Sequence, residues 1–424
     1  MKRIYLIFPL LVLCLASCSK IEVKTYDDGD VHYEESSELV DFSWYTTRNL
    51  GTKANPTYFV GDATATGTER HLNSGTSMGV FGYFHPQEGG AAGTWKTGAS
   101  DYNAPNLFYN EPVSINEDSG TYSYDYTNSR YWPRNKLDKI SFIAYYPWNK
   151  LNTSGQASED TIVEPFLDNN SVRQGMVGFY YVVPEDSKKQ VDFMISDLCL
   201  EQSKAVWSDN HAQGLTGNAN GKVKFFFHHA LSQIRVKSVS FSTGGNTDVE
   251  VKINYIVFRD VAVFGQCIPL PRFGSRDTDT GRTPVTPYWP KASLVARRPN
   301  LTSGVTARVC YDSSNDTWDV NEFLLMIPHT FFTGATIEVN FDVTRWKDIN
   351  NKGYKEDGVT PDPEYYYYRY AGNNLSAPLT TTTVQEWQAG KIYTYNIVLD
   401  LKQIKVTADV VDWLDAGDDV IMDK

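Results

Sequence analysis

The sequence predicts an all-β protein of the sandwich or barrel kind. Three observations lead there. Short stretches alternate apolar and polar residues with period two. Clusters of Gly, Asn, Ser, Thr, Asp and Pro separate those stretches at irregular spacing. No window of three turns keeps an apolar stripe at i, i+3, i+4 and i+7. The 27 Tyr, 21 Phe and 10 Trp suit strands and adhesive surfaces. A length of 424 residues points to two domains rather than one.

The elements follow in order. Lys2 and Arg3 precede an almost wholly apolar run, Ile4 to Leu15. A charged segment followed by a hydrophobic one too short to span a bilayer is a secretory signal. It ends in Leu15-Ala16-Ser17-Cys18. This resembles the lipobox of bacterial lipoprotein signal peptides, which implies that residues 1–17 are removed and Cys18 is lipidated. The outer membrane is then a partner through that lipid. Residues 18–38 are polar and acidic, including "TYDDGDVHYEESSE", and read as a tether. No later stretch is apolar enough to cross a bilayer.

Val40, Phe42 and Trp44 alternate in "VDFSWY", the first expected strand; Arg48 follows in a loop, "TTRNLGT". Further strands are expected at Met78–Phe84, within Tyr131–Trp148, at Val191–Asp197 and within Lys222–Phe241. Others are expected within Val249–Phe264, at Phe323–Ile327 and at Thr336–Val343. The weakest β composition lies near Gly244, in "FSTGGNTDVE". It divides the fold into an N-terminal domain, 39–245, and a C-terminal domain, 246–424.

The last regular stretch, "KIYTYNIVLDLKQIKVTADVVDW", has no Pro or Gly. Tyr393, Tyr395, Ile397, Leu399 and Leu401 share one phase; Ile404, Val406, Ala408 and Val410 share another. The step between the sets is odd, which in a continuous strand turns the second set to the opposite face. Either a bulge sits near Lys402–Gln403, or two strands meet there. The second half then serves either its own core or a partner's.

Motifs for chemistry are sparse. His228 and His229 are sequence neighbours, so in a strand they point to opposite faces and do not chelate one metal. One is expected buried and hydrogen-bonded, the other exposed. "DTDTG" at Asp277–Gly281 resembles the start of an EF-hand loop, but Tyr288 stands where the bidentate Glu belongs. "YYYYRY", Tyr365–Tyr370, reads as a strand with alternate aromatic rings buried, or as a sugar-stacking wall. Cys199, Cys267 and Cys310 are scattered and form no disulfide framework; they read as small buried hydrophobes, with room for one disulfide. A net charge of −12 with no Lys/Arg stripe excludes a nucleic-acid partner. No nucleophile–base pair, metal set or cofactor motif occurs in the sequence, so no enzyme, metal or cofactor is expected.

An ordered set of stretches carries a wider resemblance: "ISFIAYYPW", "FFFHHALSQIRVK", "LLMIPHTF" and "WQAGKIYTYNIVLDLKQIKVTADVVDW". Together with the lipobox they resemble the fimbrillins, subunits of type V pili. The resemblance implies two tandem transthyretin-like β-sandwich domains and display on the outer membrane as part of a fimbria. It implies partners: other pilin subunits of the same or related type, and a processing protease that cuts after Arg48. It also implies assembly by strand exchange, with Ile404, Val406, Ala408 and Val410 on the donor strand. The alternative is a surface lipoprotein that binds glycans for an outer-membrane importer.

Overall fold

The computed structural model describes residues 35–44, 74–97, 103, 105–118, 121–135, 137–149, 162–167, 175–184, 190–203, 222–241, 248–276, 282–293, 308–312, 323–399 and 404–412. Among them, regular structure is β-strand apart from a single 3-10 turn, Phe273–Ser275. The all-β prediction holds.

The N-terminal half contributes β1 (Glu35–Leu39), β2 (Asp41–Trp44), β3 (Ser77–His85), β4 (Phe108–Asp118), β5 (Thr121–Asp125), β6 (Tyr131–Pro133) and β7 (Lys139–Tyr146). It continues with β8 (Val163–Leu167), β9 (Val177–Val182), β10 (Met194–Ser196), β11 (Leu198–Gln202), β12 (Lys222–Phe225) and β13 (Phe227–His229). Its main sheet runs β13-β10-β7-β3-β4-β5, with β11 also on β7. β7 is central and buried from Ile140 to Tyr146, which is why it reads as a continuous apolar run. Gly79 and Gly82 in β3 are required by close approach: a Cβ would meet the Tyr145 ring at 2.1 Å and the Phe108 ring at 2.6 Å.

This sheet is apolar on both faces. Phe81, Tyr83, Ile143, Tyr145 and Ile195 join one core. Val80, Phe108, Ile140, Phe142 and Ala144 join a second, which also holds Val40, Phe42, Trp132, Val223 and Phe225.

The remaining strands are β14 (Ser232–Phe241), β15 (Val249–Arg259), β16 (Phe264–Pro271), β17 (Arg282–Thr283), β18 (Val285–Ser293), β19 (Arg308–Asp312) and β20 (Phe323–Met326). After them come β21 (His329–Thr330), β22 (Thr336–Trp346), β23 (Tyr366–Pro378), β24 (Glu386–Trp387), β25 (Lys391–Leu399) and β26 (Ile404–Asp412). Sheets β20-β14-β25-β26 and β19-β15-β22-β23 face each other as a sandwich. Phe258 of β15 meets Tyr395 of β25 at 5.6 Å between ring centroids, edge to face. The chain leaves the first sheet at His229 and enters the sandwich at Ser232. β16 pairs with β9, and β17 with β11, so pairing also joins segments on either side of residue 245.

The terminal stretch is a hairpin of two strands. β25 and β26 pair antiparallel, with Tyr393 opposite Val410, Tyr395 opposite Ala408, Ile397 opposite Val406 and Leu399 opposite Ile404. Directly opposed residues share a face. The two apolar sets therefore look the same way, not opposite ways as the odd step predicts for a continuous strand. Folding back between Leu399 and Ile404 restores the phase that the step removes.

Candidate functional site

The N-terminal segment seats two fully buried side chains, Val40 and Phe42, in the second core. β1 pairs antiparallel with β6, and β2 runs parallel to β12, with Asp41 beside Lys222 and Phe42 beside Val223. Val40 and Phe42 have no exposed surface. The Phe42 ring stacks on Phe225 at 5.6 Å and meets Phe108, Tyr126 and Phe142 at 5.6, 5.6 and 5.9 Å. Polar contacts complete the seat. The Val40 N–H donates to the Arg130 carbonyl at 2.8 Å, and the Tyr126 hydroxyl donates to the Val40 carbonyl at 2.6 Å. Burial pushes the Tyr126 hydroxyl up to about 12, so it stays a donor at neutral pH. Lys222 Nζ lies 2.8 Å from Asp41 Oδ2 at the half-exposed rim.

Chemically, the site is a hydrophobic slot with free strand edges on β6 and β12 wherever residues 35–44 are absent. An unpaired edge above an apolar floor is a template for another strand. Sequence reading finds Val40 and Phe42 as strand residues only. Lys222 and Tyr126 give no sequence signal, because their contacts join segments far apart in the chain.

The expected donor residues lie on β26, the outer strand of its sheet. Ala408 is buried, Val406 half-buried and Val410 40% exposed; its neighbour Val411 is 41% exposed. Ile404 starts the strand opposite Leu399. The Thr383 hydroxyl donates to the Ala408 carbonyl at 3.3 Å, and Lys391 forms an ion pair with Asp412. Cys18, Arg48 and the "DTDTG" loop lie outside the described residues. β2 and β26 belong to different sheets, so the slot and the donor residues are not brought together within one chain.

Other singled-out residues resolve into structural roles. His229 is buried against Asp192, with 2.9 Å between Nδ1 and Oδ2. His228 is half-buried, not exposed as expected, because Nε2 lies 2.5 Å from the fully buried Asp197. Burial alone raises the Asp197 carboxyl, but His228 and Arg282 outweigh it and hold the group below the usual range. Ser141 and His85 form a buried pair at 3.0 Å. The Ser141 hydroxyl also accepts the Glu201 N–H, and burial lowers His85 to about 4, so the pair is a packing element. Cys199 and Cys267 are buried in the core, and burial pushes both thiols upward. In the Tyr-rich strand Tyr366 and Tyr368 are half-buried, Tyr368 against the core, while Tyr367 and Tyr370 are 63% and 58% exposed, so the expected covering of alternate rings is met only in part. β23 is the edge strand of its sheet. A cleft of about 640 Å³ is lined by His228, Arg272, Tyr288, Trp289, His329 and Glu386, among others. His329 donates from Nδ1 to the Ile327 carbonyl at 2.7 Å and accepts the Ala262 N–H at Nε2, which leaves it no free nitrogen.

Comparisons with known proteins show the family. The model of the family described as fimbrillin-like matches residues 63–413. A fimbrial protein from Bacteroides vulgatus is similar at 18% identity, covering 79% of this chain and 92% of its own, with a TM-score of 0.47. The tip fimbrial protein Mfa3 from Porphyromonas gingivalis, solved with a C-terminal truncation, is similar at 10% identity. There the coverage is 80% of this chain and 94% of that chain, with a TM-score of 0.31. No curated protein sequence matches.

Proposed function

Because the chain belongs to the fimbrillin-like family, we propose that it is a structural subunit of a cell-surface fimbria, joined to its neighbours by strand exchange. It is not an enzyme; the family is one of fimbrial proteins. In this reading Cys18 carries the lipid that delivers the chain to the outer membrane. A protease then cuts after Arg48 and removes Cys18, its lipid and residues 35–44. The slot that held Val40 and Phe42 opens, with the edges of β6 and β12 unpaired. β26 of a neighbour, bearing Ile404, Val406, Ala408 and Val410, enters by β-augmentation. The division into two transthyretin-like sandwiches belongs to the same proposal, with the boundary moved from 245 to 230–231, because β14 already pairs within the second sandwich.

The supporting observation is the complete burial of Val40 and Phe42 on a segment that lies upstream of Arg48. The test is Arg48→Ala. It should leave full-length, membrane-bound monomer and no polymer; normal fibres from the variant would remove Arg48 from the mechanism.

The exposed rings of Tyr367 and Tyr370 favour a second reading, a glycan-binding surface lipoprotein. Retardation on polysaccharide-containing gels that is lost in Tyr367→Ala, with Cys18 retained on the mature chain, would support it over the first.

A further inference from the structure

A sheet pulled at two points fails according to where those points lie. Strands pulled from the same end separate one pair at a time. Strands pulled from opposite ends slide lengthwise and resist with every pair at once. We propose that β14 and β25 form the load-bearing clamp of this subunit, and that β26 keeps the clamp unloaded while it stays in its own sheet. The inference rests on the strand-exchange reading and adds a mechanical role that the exchange does not itself supply.

β14 and β25 run parallel over eight registered pairs, from Gln233 beside Ile392 to Phe241 beside Leu399, with one irregularity between Val236 and Ser238. Both are inner strands of the sheet β20-β14-β25-β26. Ile234 and Val236 of β14 and Tyr393, Tyr395, Ile397 and Leu399 of β25 are buried in the first core. Inner strands with buried side chains are among the last parts of a fold to open.

Tension from the N-terminal half enters the second sandwich at one end. The chain leaves the first sheet at His229 and begins β14 at Ser232. The Leu231 carbonyl accepts the Gly390 N–H at 2.8 Å, and the Ser232 hydroxyl donates to the Gln388 carbonyl at 2.8 Å. The hinge therefore sits at the Lys391 end of β25. The arm formed by β16, β17 and β18, which pairs with β9 and β11, comes in at the same end. Just before it the Ala262 N–H donates to His329 Nε2 at 3.3 Å, and His329 stands opposite Trp387.

The exit point depends on β26. This strand returns antiparallel along β25 and brings Asp412 opposite Lys391. Tension leaving through Asp412 acts at the entry end, so β26 peels from Asp412 toward Ile404 one pair at a time. β26 is the outer strand, and Val410 and Val411 are exposed, so little burial resists the peeling. It frees the chain from residue 400 to Asp412, about 45 Å when extended. Once β26 has been peeled away, or handed to a neighbour, tension leaves at Leu399, at the opposite end from Ser232. β14 and β25 are then pulled lengthwise in opposite directions, and all eight pairs share the load. A subunit that holds its own β26 yields early; one that has given it up resists.

Single-molecule pulling on the full-length monomer tests the inference. One handle stays at Asn135, exposed in the turn before β7, and the other is attached either at Lys424 or at the exposed Lys405. Pulled from Lys424, the chain should show an early, low-force event that frees about 45 Å. Lys405 lies opposite Val398, at the far end of β25. Pulled from there, the chain should lose the early event and rupture the sandwich at several times its force. A chain ending at Gln403 and pulled from its last residue should behave as the Lys405 attachment does. The early event from both attachments, or from neither, would overturn the inference. The monomer measurement is independent of assembly, so the two failures are distinct. An early event confined to Lys424, together with normal fibres from Arg48→Ala, would leave the clamp standing and remove only the exchange.

Discussion

Phe42→Ala is the perturbation whose effect the structure specifies best. The ring has no exposed surface and contacts four other rings at 5.6–5.9 Å. Truncating a fully buried Phe costs about 3–5 kcal/mol, from lost transfer free energy plus the cavity left behind. Aromatic pairs add roughly 0.5–1.5 kcal/mol beyond area, which places this site at the upper part of that range. A value near 4 kcal/mol lowers the folding equilibrium constant about a thousandfold. The assay is urea denaturation of uncleaved, full-length protein, followed by tryptophan fluorescence. Phe42→Leu is the companion: it keeps most of the volume and should cost about 1–1.5 kcal/mol. A loss below about 1 kcal/mol for Phe42→Ala would mean that residues 35–44 contribute little to the core. The slot would then not need refilling, and the reasoning behind strand exchange would fail.

Cys18→Ala should abolish incorporation of a clickable fatty acid, and undiminished labelling would refute the lipid assignment. Val406→Asp should abolish polymer yet lower the monomer's melting temperature by only a few degrees, since Val406 is half-buried on an edge strand; a collapse in melting temperature would assign β26 to its own core. His85 is held neutral in the fold, with its value lowered by burial from 6.5 to about 4. Below pH 6.5 the unfolded chain takes up a proton that the fold refuses, so stability falls between about pH 6.5 and pH 4, by roughly 3 kcal/mol. His85→Gln should lose that component of the slope; an unchanged pH dependence would refute it.

Strands with strict period two were legible in the sequence. β3, β7, β20, β22 and β25 lie where alternation or continuous apolar runs place them. β4 was not, because "FYNEPVSINED" carries Asn, Glu, Pro and Asp among its apolar residues. Its burial comes from pairing with β3 and β5, which local pattern does not encode. The hairpin of β25 and β26 shows in the sequence as a phase slip, and of its two alternatives, a bulge or two strands, the structure has two strands. Phase along a chain fixes a face only while the chain runs straight, and Leu399 opposite Ile404 marks a fold-back. The exposure of Tyr367 and Tyr370 was hidden for a related reason: composition does not say that β23 is an edge. Of the candidate site, Val40 and Phe42 were legible as one face of a strand. The Lys222 partner of Asp41 and the Tyr126 hydrogen bond were not, since both depend on long-range register.

The most direct test of strand exchange is the N-terminal sequence of the subunit within purified cell-surface polymer. Loss of residues 35–44 from the slot requires a start at Asn49, immediately after Arg48. A polymer whose subunits begin at lipidated Cys18, with Val40 and Phe42 still in the chain, would contradict the account.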